Sequence, residues 1–187
     1  MTSTNHLRIL IANEHQDRLE KVSGVVLSLG HEVVAMSVDV GETKQMVGAL
    51  RPDVGLVGLG NDTSHALSLI ASIDQITPVV LLLKVASPAF VKEAARRSVF
   101  SYVINDDAQC LQSAIDITIL RFNDYHNLQE AFERRAVIEQ AKGVLMSRHH
   151  IDQEDAFGML RSHSQRSGQK LIHVAEAIVS SYALLIK

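Results

Sequence analysis

The chain has 187 residues, 47% of them hydrophobic and 21% charged, with a formal net charge of −3. That length fits one large or two small domains, and that composition fits a soluble protein able to bury a core. No apolar run reaches membrane-spanning length, and the single cysteine, Cys110, excludes an intrachain disulfide framework.

The start, Met1-Thr-Ser-Thr-Asn-His6, lacks the basic and apolar regions of a signal peptide, so a cytoplasmic protein is expected. Charge and punctuation divide the chain. Residues 1–132 carry 10 Lys and Arg against 15 Asp and Glu, a balance of −5. Residues 133–187 carry 8 against 6, a balance of +2. Seven of the ten glycines lie in the first 60 residues, and all three prolines (Pro52, Pro78, Pro88) lie before residue 90. A turn-rich first part and an all-helical second part follow.

Leu7–Ala12 reads as a buried strand closed by Asn13-Glu14-His15. Residues 16–29 place Leu19, Val22, Val26 and Leu29 at helical spacing, and Gly30 stops that helix. His31–Met36 is the second strand and Val40–Leu50 the second helix. Asp53–Leu59 is the third strand, ending in Gly58-Leu-Gly60, and residues 63–74 are the third helix, with Asp62 as its cap. Val79–Leu83 is fully apolar, hence a strand covered on both faces. Pro88–Arg97 is the fourth helix, Phe100–Ile104 the fifth strand, and a helix starts near Asp106-Asp107. Five βα units in alternation imply a parallel sheet with helices on both sides.

Open parallel sheets bind ligands at the carboxyl ends of their strands. Here those ends carry Asn13 and Glu14, Gly58 and Gly60, Leu83 and Lys84, and Asn105 and Asp106. The order and length of residues 1–120 resemble the flavodoxin-like receiver domain of response regulators. The resemblance implies Mg²⁺ held by an acidic pair after the first strand and a phosphoacceptor aspartate ending the third. It also implies a Thr or Ser after the fourth strand and a Lys after the fifth. This sequence has Asn13-Glu14, Gly58, Leu83 and Asn105 at those positions. Glycine has no nucleophile, leucine cannot hydrogen-bond a phosphoryl oxygen, and one carboxylate is a poor Mg²⁺ site. A pseudo-receiver without cofactor is expected. Tyr102 sits where receivers often carry a rotating aromatic; it is either a half-buried strand residue or part of a partner surface.

From Cys110 to Met146 there is no proline and one glycine, Gly143. Leu111, Ile115, Thr118, Phe122, Tyr125, Leu128 or Gln129, and Phe132 repeat near every 3.5 residues, as in a coiled-coil seam, of which Leu111 and Ile115 must also pack on the sheet while Phe122, Tyr125 and Phe132 lie outside any readable core. The connecting helix, 107–132, is therefore expected to pair with a second copy as a homodimer, or to fold back on its own first domain.

Residues 133–187 read as three short amphipathic helices. Ile138, Ala141 and Leu145 share a face of the first; Asp152 caps the second, which buries Ala156, Phe157 and Leu160; Ser167-Gly168 ends it. The third turns Leu171, Val174, Ala175, Ile178, Val179 and Tyr182 inward. The residues Ile138-Glu139-x-Ala141-Lys142-Gly143-x-Leu145-Met146, Ala156-Phe157-x-x-Leu160-Arg161 and Lys170-Leu171-x-x-Val174-Ala175 resemble the ANTAR domain, an RNA-binding module of transcription antitermination regulators. The resemblance implies an antiterminator acting on stem-loops of nascent mRNA leaders, which a dimer formed through the seam would meet with two modules. Lys142, Arg161 and Lys170 flank buried positions and are expected to face outward as a basic surface. Ser147 and Arg148 follow on the same segment, and Gly143 permits close approach of RNA or of a neighbouring helix. His149, His150, His163 and His173 do not have zinc spacing, and no metal is expected. Without an acceptor, control falls to a sensor or sequestering protein. The alternative is a signalling adaptor that uses the receiver-like face without nucleic acid. An enzyme is not expected, since no nucleophile–base set is readable.

Overall fold

The computed structural model describes residues 6–85, 87–97, 99–104 and 107–185, with side chains described to Tyr182. It divides into two compact units, Met1–Asp124 and Tyr125–Lys187.

The first unit is built on five parallel strands, β1 (Arg8–Ala12), β2 (Glu32–Ser37), β3 (Val54–Gly58), β4 (Val79–Leu83) and β5 (Ser101–Ile104), in the order β2-β1-β3-β4-β5. That is the flavodoxin-like arrangement. The helices between them are α1 (Gln16–Ser28), α2 (Val40–Leu50), α3 (Thr63–Ile73) and α4 (Pro88–Ala95). Helix α5 (Ala108–His149) begins in this unit and continues into the second.

Alternation along the strands builds the core. Leu10, Ala12, Val57, Leu81 and Leu83 pack with Val47 of α2, Leu69, Ile70 and Ile73 of α3, and Phe90 of α4. Ile9, Ile11, Leu56, Leu82 and Val103 face the other way, onto Leu19, Val22 and Val26 of α1 and Leu111, Ala114 and Ile115 of α5. Each such Leu, Ile or Val contributes about 1.5–3 kcal/mol by leaving water. Helix starts are fixed by polar caps. The carboxylate of Asp39 accepts from the Glu42 N–H at 2.8 Å, Asp62 from the Ser64 N–H at 2.8 Å, and Asp107 from the Cys110 N–H at 2.8 Å. Ser87 caps α4, with Pro88 in the first helical turn, where its missing N–H costs nothing.

The early members of the expected seam pack on the sheet, as required of Leu111 and Ile115. Leu111, Ile115 and Thr118 are buried inside the first unit, and the Thr118 hydroxyl hydrogen-bonds Ser101 on β5. They serve the sheet, so a second helix cannot use them. The same apolar spacing that signals a seam is produced by any helix lying on a sheet.

The second unit holds the remainder of α5, then α6 (Gln153–Ser167) and α7 (Leu171–Leu185). Asp152 accepts from the Asp155 N–H at 2.9 Å, and Gly168, at φ 67°, closes α6 in the left-handed region that favours glycine. Ala141, Leu145, Ala156, Leu160, Val174 and Ala175 form the small core, flanked by Ile138, Met146, Leu171, Ile178 and Val179. Among the described residues no helix is long and apolar enough to cross a membrane.

Candidate functional site

At the carboxyl edge of the first unit's sheet, Asn13 follows β1 and is buried, its side-chain oxygen accepting from the His15 N–H at 3.0 Å. The Glu14 carboxylate reaches across to the loop after β3. It accepts from the N–H of Asn61, and from that of Asp62 at 3.2 Å, and lies 2.9 Å from His15 Nε2. The Asn61 N–H, then that of Asp62 and the charges of His15 and His65, hold its pKa below the ordinary carboxylate value against the opposing effect of burial. Gly58 ends β3, and Leu83 is fully buried at the end of β4. Asn105, the remaining member of the expected pocket, lies outside the described residues.

Tyr102 and Ile104 of β5, which lies at an edge of the sheet, are exposed, as is Val85 beyond β4. Tyr102 thus presents ring surface at the edge of the unit.

The second unit corrects two of the expected positions. Lys142, expected to face outward, is only 5% exposed. Its ammonium donates to both oxygens of Glu139, at 2.9 and 2.8 Å, one turn back on α5. The long aliphatic stem explains this: it covers apolar surface while the head finds a carboxylate at the rim. Phe157, expected in the core, is 41% exposed. Ala156 and Leu160 already fill the inward face of α6, and residue 157 is rotated about 100° from 156. Phe157 and the exposed Arg161 are spaced four apart and share one face of α6.

Gly143, Ser147, Arg148 and Lys170 are all exposed. A Cβ added at Gly143 would meet nothing within 4 Å, so no neighbouring helix of this chain requires glycine there. The Lys170 carbonyl accepts the N–H groups of His173 and Val174 at the start of α7. Arg148 borders a hollow of about 410 Å³ with Val144, Ile178 and Tyr182. A larger groove of about 600 Å³ opens between α6 and α7, with Met159, His163, Arg166 and Gln169 on its walls. Phe157 was the functional candidate that sequence reasoning missed. The signal available was its four-residue spacing to Arg161 on a helix whose core positions were already taken.

Farther up α5, Tyr125 and Leu128 are exposed and Phe132 is 64% exposed. The Tyr125 ring meets His126 edge-on at 5.7 Å between centroids.

Comparison with known proteins agrees with this division. Residues 126–179 match the ANTAR domain family. Over 185 residues the chain is 24% identical to the transcriptional regulatory protein PdtaR of Mycobacterium tuberculosis strain H37Rv, covering 93% of this chain and 90% of that protein. The same figures hold for PdtaR of strain CDC 1551. Among solved structures, the signal receiver domain of a modulated diguanylate cyclase from Desulfovibrio desulfuricans G20 superposes with a TM-score of 0.56 at 19% identity, over 64% of this chain and 98% of that one. The response regulator domain of Thermotoga maritima CheB gives 0.54 at 16%, over 62% and 97%. At these identities the two structures speak for the fold alone. A receiver fold thus stands ahead of a segment that matches the ANTAR domain family, and a transcriptional regulator is similar to this chain along nearly its whole length.

Proposed function

We propose that the chain is an RNA-binding transcription antiterminator that acts as a dimer on stem-loops of nascent mRNA, under control that does not use phosphorylation. The observation that carries the RNA reading is the exposure of both Phe157 and Arg161, four residues apart on α6, inside the matched ANTAR domain. An aromatic face accepts an unstacked loop base, and a guanidinium both stacks and donates to phosphate. Arg148, Ser147, Lys170 and the open backbone at Gly143 are further candidates for the same ligand. Lys142, neutralised by Glu139, supports the unit's packing and contributes little free charge. The dimer reading rests on Tyr125, Leu128 and Phe132, apolar side chains exposed on α5. Two copies would raise avidity on tandem stem-loops through effective concentration.

Binding to tandem stem-loop RNA, measured across salt concentrations, tests this. Arg161→Ala is expected to weaken binding and to lower the slope of log K against log salt by about one. Phe157→Ala is expected to cost about 1–3 kcal/mol of binding, the range for loss of one stacked base. Salt-independent or unchanged binding in both variants removes the RNA face. For phosphorylation, incubation with a small phosphodonor and Mg²⁺ is expected to leave the mass unchanged, whereas a stable adduct of one phosphoryl group rejects that part of the reading.

A protein partner is favoured by a separate observation, the exposed Tyr102, Ile104 and Val85 of the first unit. A sensor or sequestering protein held there would supply the missing control. If the chain binds such a partner and no RNA, the adaptor reading replaces the antiterminator.

A further inference from the structure

The receiver fold implies a Mg²⁺ site beside the phosphoacceptor, and the residues present do not fit one. Only Glu14 offers a carboxylate after β1, and it is engaged by the N–H groups of Asn61 and Asp62 and by His15. Asn13 brings an amide, 3% exposed, and Gly58 brings no oxygen beyond its own carbonyl. A hard dication wants six or more oxygen ligands, or water in their place, and here protein atoms fill the space.

The two glycines explain how it is filled. Neither has a backbone conformation that demands glycine: the positive-φ glycines among the described residues are Gly30 and Gly168. What demands it is volume. A Cβ on Gly58 would lie 1.7 Å from Nδ2 of Asn13 and 2.9 Å from its Cγ. A Cβ on Gly60 would lie 2.0 Å from Cδ of Glu14 and 2.3 Å from its Cγ. Values under 3 Å are collisions, so each glycine is the socket for one side chain. At the end of a strand a glycine weakens the element unless another group approaches closely, and here one does.

We propose that this sheet edge is plugged from within: Asn13 seats on Gly58 and Glu14 on Gly60, locking the loop after β1 to the loop after β3 where a receiver would hold its cation and phosphoryl group. The plug does more than remove the acceptor. It closes the space, so restoring an aspartate at position 58 alone would drive its Cβ into Asn13. The inference deepens the phosphorylation-independent reading without requiring RNA binding. Its test reads packing, whereas the phosphodonor experiment reads chemistry, so the two fail separately.

Two double-substitution cycles on the full chain test it by thermal midpoint. Gly58→Ala is expected to lower the midpoint by several degrees in the native background and by much less beside Asn13→Ala. Alanine keeps only the Asn13 Cβ, which would sit 3.4 Å away, an ordinary contact. Gly60→Ala is expected to behave the same way toward Glu14→Ala, which removes Cγ, Cδ and Oε1, the three atoms nearest the added Cβ. Additive losses in both cycles, or no loss from either glycine substitution, overturn the plug. If Gly58→Ala does not fold alone, recovery of folding in the Asn13→Ala background is the expected result and failure to recover it counts against the plug. Independently, Mn²⁺ added as a paramagnetic probe is expected to broaden the amide signals of residues 13–15 and 58–62 no more than those near other carboxylates. Selective broadening there means the edge is an open cation site and the inference is wrong.

Discussion

At the scale of single residues, Gly143 sets stability against binding. It lies within α5, is exposed, and a Cβ there meets nothing. Gly143→Ala is therefore expected to stabilise the second unit by about 0.5–1 kcal/mol through helix propensity. If RNA approaches this backbone, the same methyl weakens binding. The two effects are read separately by a denaturation midpoint and a binding isotherm, and unchanged affinity would show that the backbone there is not approached. Acid stability is a second residue-level matter. Hydrogen bonds lower the pKa values of Glu14 (first from the Asn61 N–H), Asp62 (first from the Ser64 hydroxyl) and Asp107 (first from the Cys110 N–H). A depressed carboxylate stabilises the fold above its unfolded pKa, and that stabilisation is lost as pH falls through the depressed value. Asp74 runs the other way: burial raises its pKa, so its contribution declines as pH climbs from the ordinary value to the raised one. With three groups against one, the urea midpoint is expected to fall between pH 6 and roughly pH 3, starting near the ordinary carboxylate range. Glu14→Gln is expected to flatten that fall; an unchanged slope would show that Glu14 is not held as described. Which of these residues are buried was only partly legible from the sequence. Residue type suggested that Phe157 goes in and Lys142 stays out, and the structure reverses both. Helix phase decides whether a side chain faces the core, and a long stem lets a lysine bury most of itself.

At the scale of elements, α5 carries two apolar sets, one buried and one exposed. Ile115 is fully buried among sheet residues of the first unit, and Phe132 is exposed. Ile115→Ala is expected to cost the first unit about 2–5 kcal/mol of stability while leaving association unchanged. Phe132→Glu is expected to leave the melting of both units nearly intact and to shift the chain toward monomer in light scattering. A Phe132→Glu chain that stays dimeric rejects that part of the seam. The sequence marked the ends of several elements well because those ends are chemical. Val40–Leu50 and Val79–Leu83 come out with the bounds expected of them, one behind the Asp39 cap and the other as an uninterrupted apolar run. The seam was less legible. A 3.5-residue repeat says that a helix face is apolar, not whether a sheet or another helix covers it.

At the scale of the whole chain, the two architectures were readable in advance, since five βα alternations and three capped amphipathic helices leave few other folds open. The closed edge of the sheet was not. It depends on Asn13 and Glu14 meeting Gly58 and Gly60, residues more than 40 positions apart whose relation exists only after the strands pair. The proposed loss of the acceptor rests on residues read one at a time, whereas the proposed plug rests on pairs. The first part is acidic and the second slightly basic, and a balance of +2 does not by itself draw an RNA.

The exposure of α5 from Tyr125 to Ala136 has a kinetic consequence. Over those twelve positions only His126 is even partly covered. Helices of about 12–15 residues are marginal without packing. The backbone amides of this segment in a lone chain should therefore trade their hydrogens for deuterium far sooner than those of β1 or β3. If a second copy covers the segment, mass action slows that trade: diluting the protein should speed exchange at residues 125–136 and leave the strands unchanged. Exchange independent of concentration would mean that no second copy shields the helix.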